Sequence, residues 1–150
     1  MPTNDHYPPV GFHFKVEFQG VDSQPIDTFF QEVSGLSFDI ESETVKSGGE
    51  NRFSFKLPTR ASYPNLVLKR GLVTESSLIN WVNEAVETME VSLATVIISL
   101  MNEQHEPLQT YKCVNAWPQK WSLSDFNAQD SKLVIETLEL VYQYYKILPK

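Results

Sequence analysis

The stretch from Leu36 to Leu57 constrains the fold more than any other part of this chain, because it reads as two long β-strands joined at Gly48-Gly49. A glycine pair supplies the positive φ angles that a two-residue hairpin turn needs. With that turn, Phe38, Ile40, Ser42 and Thr44 share a face with Phe53, Phe55 and Leu57, while Asp39, Glu41 and Glu43 share the other face with Arg52, Ser54 and Lys56. Glu41 then stands opposite Lys56 as a favourable cross-strand pair. From Glu41 to Arg52 the only hydrophobic residue is Val45. A two-stranded ribbon with so little to bury is marginal alone in water. The segment therefore asks for an outside surface to hold it, the plain alternative being a solvated hairpin tip.

The rest of the chain is rich in strand patterns. Phe12, Phe14, Val16 and Phe18 alternate with His13, Lys15, Glu17 and Gln19, the period of a half-buried strand. A short strand is expected at Phe29 to Val33, ending at Ser34-Gly35, and another at Leu66 to Arg70, closed by Gly71. Between Ser76 and Met89 the period changes: Leu78, Trp81, Val82, Ala85 and Val86 recur at helical spacing, with Ser76 or Ser77 as cap. Val91 to Met101 and Gln109 to Val114 read as a second hairpin across the polar segment Asn102 to Pro107. The last strand runs from Leu133 to about Tyr145 and is apolar on both faces, as in a strand central to a two-layer core or covered by a neighbouring molecule. These elements predict a mainly β domain spanning residues 1–150, a β-sandwich or barrel with one α-helix over 76–89 and a long protruding β-hairpin over 36–57.

Composition narrows the function. A formal charge of -7 with dispersed basic residues disfavours binding by phosphate neutralisation, so no specific nucleic-acid recognition is expected. The single cysteine, Cys113, reads as a small buried hydrophobe and permits no intrachain disulfide. The segment Met1 to Pro9 lacks the basic start and apolar block of a secretory signal, and the longest nearly apolar run, Leu93 to Met101, is too short to span a bilayer. No constellation for catalysis stands out. His6, His13 and His105 lie on a proline-rich lead, a strand and a turn, with no spacing that puts two ligands on one face, so neither a metal nor a cofactor is expected. Ser124-Asp125 lacks the sharp turn of a hydrolase nucleophile, and Gly48-Gly49 lacks the flanks of a phosphate-cradling loop. Asp39, Glu41 and Glu43 stand about 7 Å apart along one strand face, loose for an acid and base acting on one bond. They read as a solvated polar face, and the protein as no enzyme.

Taken together, the segments resemble the tail-tube protein family of contractile phages and of phage-tail-like contractile injection particles. The resemblance rests on Phe30-Gln31-Glu32-Val33-Ser34-Gly35-Leu36, the Gly48-Gly49 turn, Leu66-Val67-Leu68-Lys69-Arg70-Gly71 leading to a helix with Trp81, Asn115-Ala116-Trp117-Pro118-Gln119-Lys120-Trp121, and Glu136-Thr137-Leu138-Glu139-Leu140, in that order. It implies a subunit of hexameric rings that stack into a hollow tube inside a sheath, with baseplate, tube-initiating and tube-terminating proteins as further partners and cargo in the lumen. It also implies assembly in the producing cell's cytoplasm. On this reading Val45, Lys46, Ser47, Gly48, Gly49, Glu50, Asn51 and Arg52 form an assembly arm. Asp39, Glu41, Glu43, Ser54 and Lys56 suit a wet bore that repels acidic cargo. The alternatives are a tube-initiating ring at the baseplate and, from another class, a monomeric ligand-binding β-barrel.

Overall fold

Period-two alternation produces the strand it predicts: β1 (His13–Gln19) buries Val16 and Phe18 and leaves Gln19 in water. The computed structural model describes residues 13–21, 29–46, 54–73, 76–125, 129 and 133–149. After β1 come β2 (Phe29–Phe30), β3 (Glu32–Ser34), β4 (Asp39–Lys46), β5 (Ser54–Ser62), β6 (Leu66–Gly71), α1 (Leu78–Thr88), β7 (Ala94–Met101), β8 (Pro107–Leu123), β9 (Ile135–Val141) and β10 (Tyr144–Leu148). The order in the main sheet is β2-β1-β7-β8-β9-β6-β3, with β10 also paired to β8, and every pairing is antiparallel.

This sheet folds on itself because two segments change partners. Strand β8 pairs with β7 as far as Ala116 and with β9 from Trp117 onward. Its corner is Asn115, whose φ of 56° is a left-handed conformation that asparagine tolerates. The Asn115 amide donates to Gln143 Oε1 at 2.8 Å, and the Gln143 N–H donates to the Val114 carbonyl at 2.9 Å. On the opposite side β2 pairs with β1 and β3 pairs with β6, and the Gln31 N–H between them donates to the Lys69 carbonyl at 2.9 Å. The two halves enclose one core, in which Leu66, Leu68, Val96, Ile98 and Leu140 have no exposed surface.

Three expected strands take another course. The short strand expected at Phe29 to Val33 is two, β2 and β3, which part at Gln31 and pair with different neighbours. The strand read as ending at Val114 continues to Leu123 and absorbs Ala116 to Trp121. The final strand is two strands, broken at Tyr142-Gln143. That break explains its apolar residues on both faces. Leu138, Leu140 and Tyr142 point into the core, the parity then switches, and Tyr145 packs against the same core from β10.

The β4–β5 ribbon also corrects the expected register. Val45 stands opposite Phe55, Glu43 opposite Leu57 and Glu41 opposite Arg60, a register other than the one a two-residue turn at Gly48-Gly49 would impose. Ser47, Gly48, Gly49, Glu50, Asn51 and Arg52 lie outside the described residues. An odd shift of register exchanges faces. Asp39, Glu41 and Glu43 therefore share their face with Val45, Phe55 and Leu57, whereas Ser54 and Lys56 lie on the other, opposite Lys46 and Thr44. The observed register gives Val45 an aromatic partner and Glu41 a cationic one, with a bulge at Thr59, whose hydroxyl donates to the Glu41 carbonyl at 3.1 Å.

Helix α1 buries Leu78, Trp81 and Val82, while Val86 is exposed. The Trp81 indole N–H donates to the Ser92 carbonyl at 2.8 Å. Of the two candidate caps Ser76 acts: its hydroxyl accepts the Leu78 N–H at 3.2 Å, and Ser77 makes no side-chain cap bond. Ser76 also accepts from the Arg70 guanidinium at 2.9 Å. Arg70 donates through Nε to Glu136 Oε2 at 2.9 Å and lies over the Phe30 ring, while Trp121 Nε1 donates to Glu136 Oε1 at 2.8 Å. Arg70 and Glu136 are both buried, so this ion pair has its remaining hydrogen-bonding capacity met within the protein. Sequence reasoning assigned these residues to separate segments; in space they are one network.

Candidate assembly surface

Every described residue of the ribbon is exposed: none of β4 or β5 is covered by the rest of the chain. Its first face carries Val45, Phe55 and Leu57 at the outer end, with Phe55 59% exposed, and Glu41, Arg60 and Asp39 toward the base. Glu41 accepts from Arg60 Nε, and this hydrogen bond and charge push the guanidinium pKa up. The opposite face is polar at its outer end, with Lys46, Ser54, Thr44 and Lys56, and apolar at its base, with Ile40 and Ala61. Covering a side chain such as Phe55 or Leu57 is worth about 1.5–3 kcal/mol each, so this surface favours a partner.

The apolar base opens into a groove of about 440 Å³ between the ribbon and β10, lined by Phe38, Ile40, Ala61, Tyr63, Tyr145, Lys146 and Ile147. Its floor is a set of edge-packed rings: Tyr63 meets Tyr145 at 5.6 Å and Tyr142 at 5.9 Å between centroids, and Phe38 meets Tyr145 at 6.4 Å. The Tyr142 hydroxyl donates to the Gly35 carbonyl at 3.2 Å. Burial raises the pKa values of Tyr142 and Tyr145, with neighbouring phenols adding to the shift. Among the described residues β10 pairs with β8 alone, and its other edge lies beside the groove. A third apolar area lies at the end of α1, where Val86, Met89, Val91 and Leu93 are exposed, Met89 to 82%.

The structure places the expected site residues unevenly. Val45 and Lys46 stand at the outer end of β4, on opposite faces, and the remainder of the expected arm is outside the described residues. The five residues expected to line a bore do not form one face, because Ser54 and Lys56 are turned away from the three acids. Sequence reasoning missed the groove and the patch at the helix end. The tail Lys146-Ile147-Leu148 carried a signal for the groove, an apolar pair beyond the expected end of the last strand. One further expectation is corrected: His13 and His105, read as scattered, meet with their ring nitrogens 2.9 Å apart. Among the described residues, no group of three or more His, Cys, Asp or Glu is placed to hold a metal ion, and no helix is long and apolar enough to cross a membrane.

Residues 10–146 match the family described as T4-like virus tail tube protein gp19. Among solved structures, a chain of the six-fold symmetrised anti-feeding prophage baseplate is 30% identical, with a TM-score of 0.77 over 95% of this chain and 96% of that one. A chain of the extended sheath-tube complex of PVC, an extracellular contractile injection system, has a TM-score of 0.78 at 24% identity, over 96% of this chain and 93% of that one. Hcp1 from Salmonella typhimurium shares the fold at a TM-score of 0.55 and 14% identity, over 92% of this chain and 86% of that one. No curated protein sequence matches the chain.

Proposed function

The chain belongs to the T4-like virus tail tube protein gp19 family, and we propose that it is the structural subunit of the inner tube of a phage tail or phage-tail-like injection particle. Copies close into hexameric rings, the rings stack into a hollow tube, and contraction of a surrounding sheath drives the tube through a target envelope. The observation that carries this reading is the β4–β5 ribbon, exposed along its whole described length and bearing Ile40, Val45, Phe55 and Leu57 in water. A monomer gains nothing from such an arm. In a ring or stack, a neighbouring subunit covers the Val45, Phe55 and Leu57 end, and the Glu41–Arg60 pair stays at the border of the contact. The similar chains come from a sheath-tube complex and a six-fold symmetrised baseplate, which fits a tube subunit with sheath and baseplate partners.

An acidic bore built from all five expected residues is not carried forward, since the set divides between two faces. The baseplate-proximal ring is a second reading, favoured by the 30% identical chain of the baseplate structure. A monomeric ligand-binding barrel has no comparable support, because Leu66, Leu68, Ile98 and Leu140 fill the interior.

Negative-stain microscopy and sedimentation of the full chain test the proposal. Rings or tubes are expected for the natural chain, and dispersed monomers for the double variant Phe55→Asp, Leu57→Asp. A natural chain that stays monomeric at high concentration overturns the tube reading. Immunogold labelling of the native particle separates tube from initiating ring: label along the whole length supports the first, label at one end the second.

A further inference from the structure

His13 opens β1 opposite Met101, the last residue of β7, and His105 sits in the turn that follows. That turn is built around Asn102. Its side-chain oxygen accepts the Gln104 and Glu106 N–H groups at 2.9 Å each, and its backbone carbonyl accepts the His105 N–H at 3.0 Å. The Asn102 N–H donates to the Glu106 carbonyl at 3.0 Å. The turn is therefore held without help from the imidazole. The same bonds make a type I turn over Asn102 to His105 followed by a left-handed residue, which calls for the φ of 60° at His105, a conformation histidine adopts more readily than most residues. The turn therefore fixes where the His105 side chain leaves the backbone.

That side chain faces His13 nitrogen to nitrogen: His105 Nδ1 and His13 Nε2 are 2.9 Å apart, the ring centroids are 4.7 Å apart and the ring planes meet at 65°. A collinear N–H···N bond of this length would set the centroids about 5.2 Å apart. Two imidazoles bound at right angles to one ion, at about 2.0–2.1 Å each, would set the nitrogens about 2.9 Å and the centroids about 4.5 Å apart. The observed pair is bent toward the second arrangement. A tetrahedral ion would need the nitrogens about 3.3 Å apart.

We propose that His13 and His105 form a two-imidazole site for a divalent transition ion with right-angled coordination, copper(II) or nickel(II), with water in the remaining positions. Binding needs a lone pair on each facing nitrogen. The hydrogen held between the two neutral rings moves to the far nitrogen of its own ring, and no proton is lost. Imidazole suits these ions, and copper and nickel exceed cobalt and iron in affinity for nitrogen ligands. Because the pair joins the start of β1 to the β7–β8 turn, a bound ion also ties these two segments together. The inference does not depend on the tube reading.

The test is titration of the tag-free full chain with nickel chloride near neutral pH, followed by calorimetry. One ion per chain is expected, bound at least tenfold more weakly by His13→Gln and by His105→Asn, and unchanged in His6→Gln. Asparagine keeps the left-handed turn, so loss of binding in His105→Asn reports the ligand and not the fold. Nickel should also raise the melting temperature of the natural chain and of neither variant. Absence of saturable binding by the natural chain, binding by either variant as tight as that of the natural chain, or loss confined to His6→Gln overturns the proposal.

Discussion

At the residue scale, the buried network around Arg70 and Glu136 joins three of the segments on which the family resemblance rests together: Arg70 on β6, Trp121 on β8 and Glu136 on β9. Removing one partner of a buried ion pair leaves the other charged and desolvated, a loss of about 3–5 kcal/mol. Arg70→Met should therefore lower the urea midpoint sharply, and Arg70→Met with Glu136→Leu should recover at least half of the loss. An Arg70→Met chain within about 1 kcal/mol of the natural one would show that the network stabilises little. The network was not legible in the sequence, because charge on a strand reads as a solvated face unless its partner is known. The same limit hid the meeting of His13 and His105, which lie far apart in the chain and come together only through the β1–β7 register. Cys113, by contrast, was legible as a small buried residue, and it is fully buried. Burial pushes its thiol from 9.0 up to about 12. Above pH 9 the unfolded chain releases this proton and the folded one holds it, so unfolding is favoured as pH rises, by about 1.4 kcal/mol per unit until the folded value is reached. Urea denaturation between pH 8 and 10, below the range where the raised Tyr142 and Tyr145 phenols add to the loss, should show this decline, and Cys113→Ala should flatten it; equal slopes in the two proteins would remove the thiol as its source.

At the element scale, periodicity was informative wherever an element keeps one partner and one buried face. β1, β6 and α1 follow their patterns for this reason, and β7 pairs with β8 across the expected turn. It failed where a strand changes sheet, because the alternation of side chains then changes parity inside one continuous apolar run. Asn115 and the Tyr142–Gln143 break are such places. It failed again in the ribbon, where Gly48-Gly49 matched a two-residue turn but cross-strand pairing of Val45 with Phe55 and Glu41 with Arg60 sets another register. Gly35 shows the opposite case, a glycine whose role the backbone dictates. It follows β3 at a φ of 96°, and a Cβ there would lie 2.1 Å from the Asn65 carbonyl oxygen. Gly35→Ala must displace either the chain leaving β3 or the segment leading into β6. A loss of more than about 2 kcal/mol in denaturant unfolding is expected, and a near-natural midpoint would mean that the approach relaxes freely.

At the scale of the whole molecule, core and ribbon divide the work of folding and association. The core is closed by the corner at Asn115 and the crossing at Gln31, and neither β4 nor β5 contributes a buried residue to it. Asp39 and Ser62 are direct partners across the ribbon base, so the chain leaves the core and returns to it within about one strand spacing, roughly 5 Å. The ribbon should therefore be removable. Replacing residues 39–62 by a short Gly-Ser link retains Phe38 and Tyr63, whose rings pack at 6.5 Å, and keeps the tyrosine floor beneath them. The shortened chain is expected to fold with native circular dichroism and a melting temperature within a few degrees of the natural one, and to form neither rings nor tubes. Each half of that outcome can fail separately. Unfolding of the shortened chain would make the ribbon part of the fold, whereas tubes of normal length would assign subunit association to the β10 edge, the groove or the patch at the end of α1.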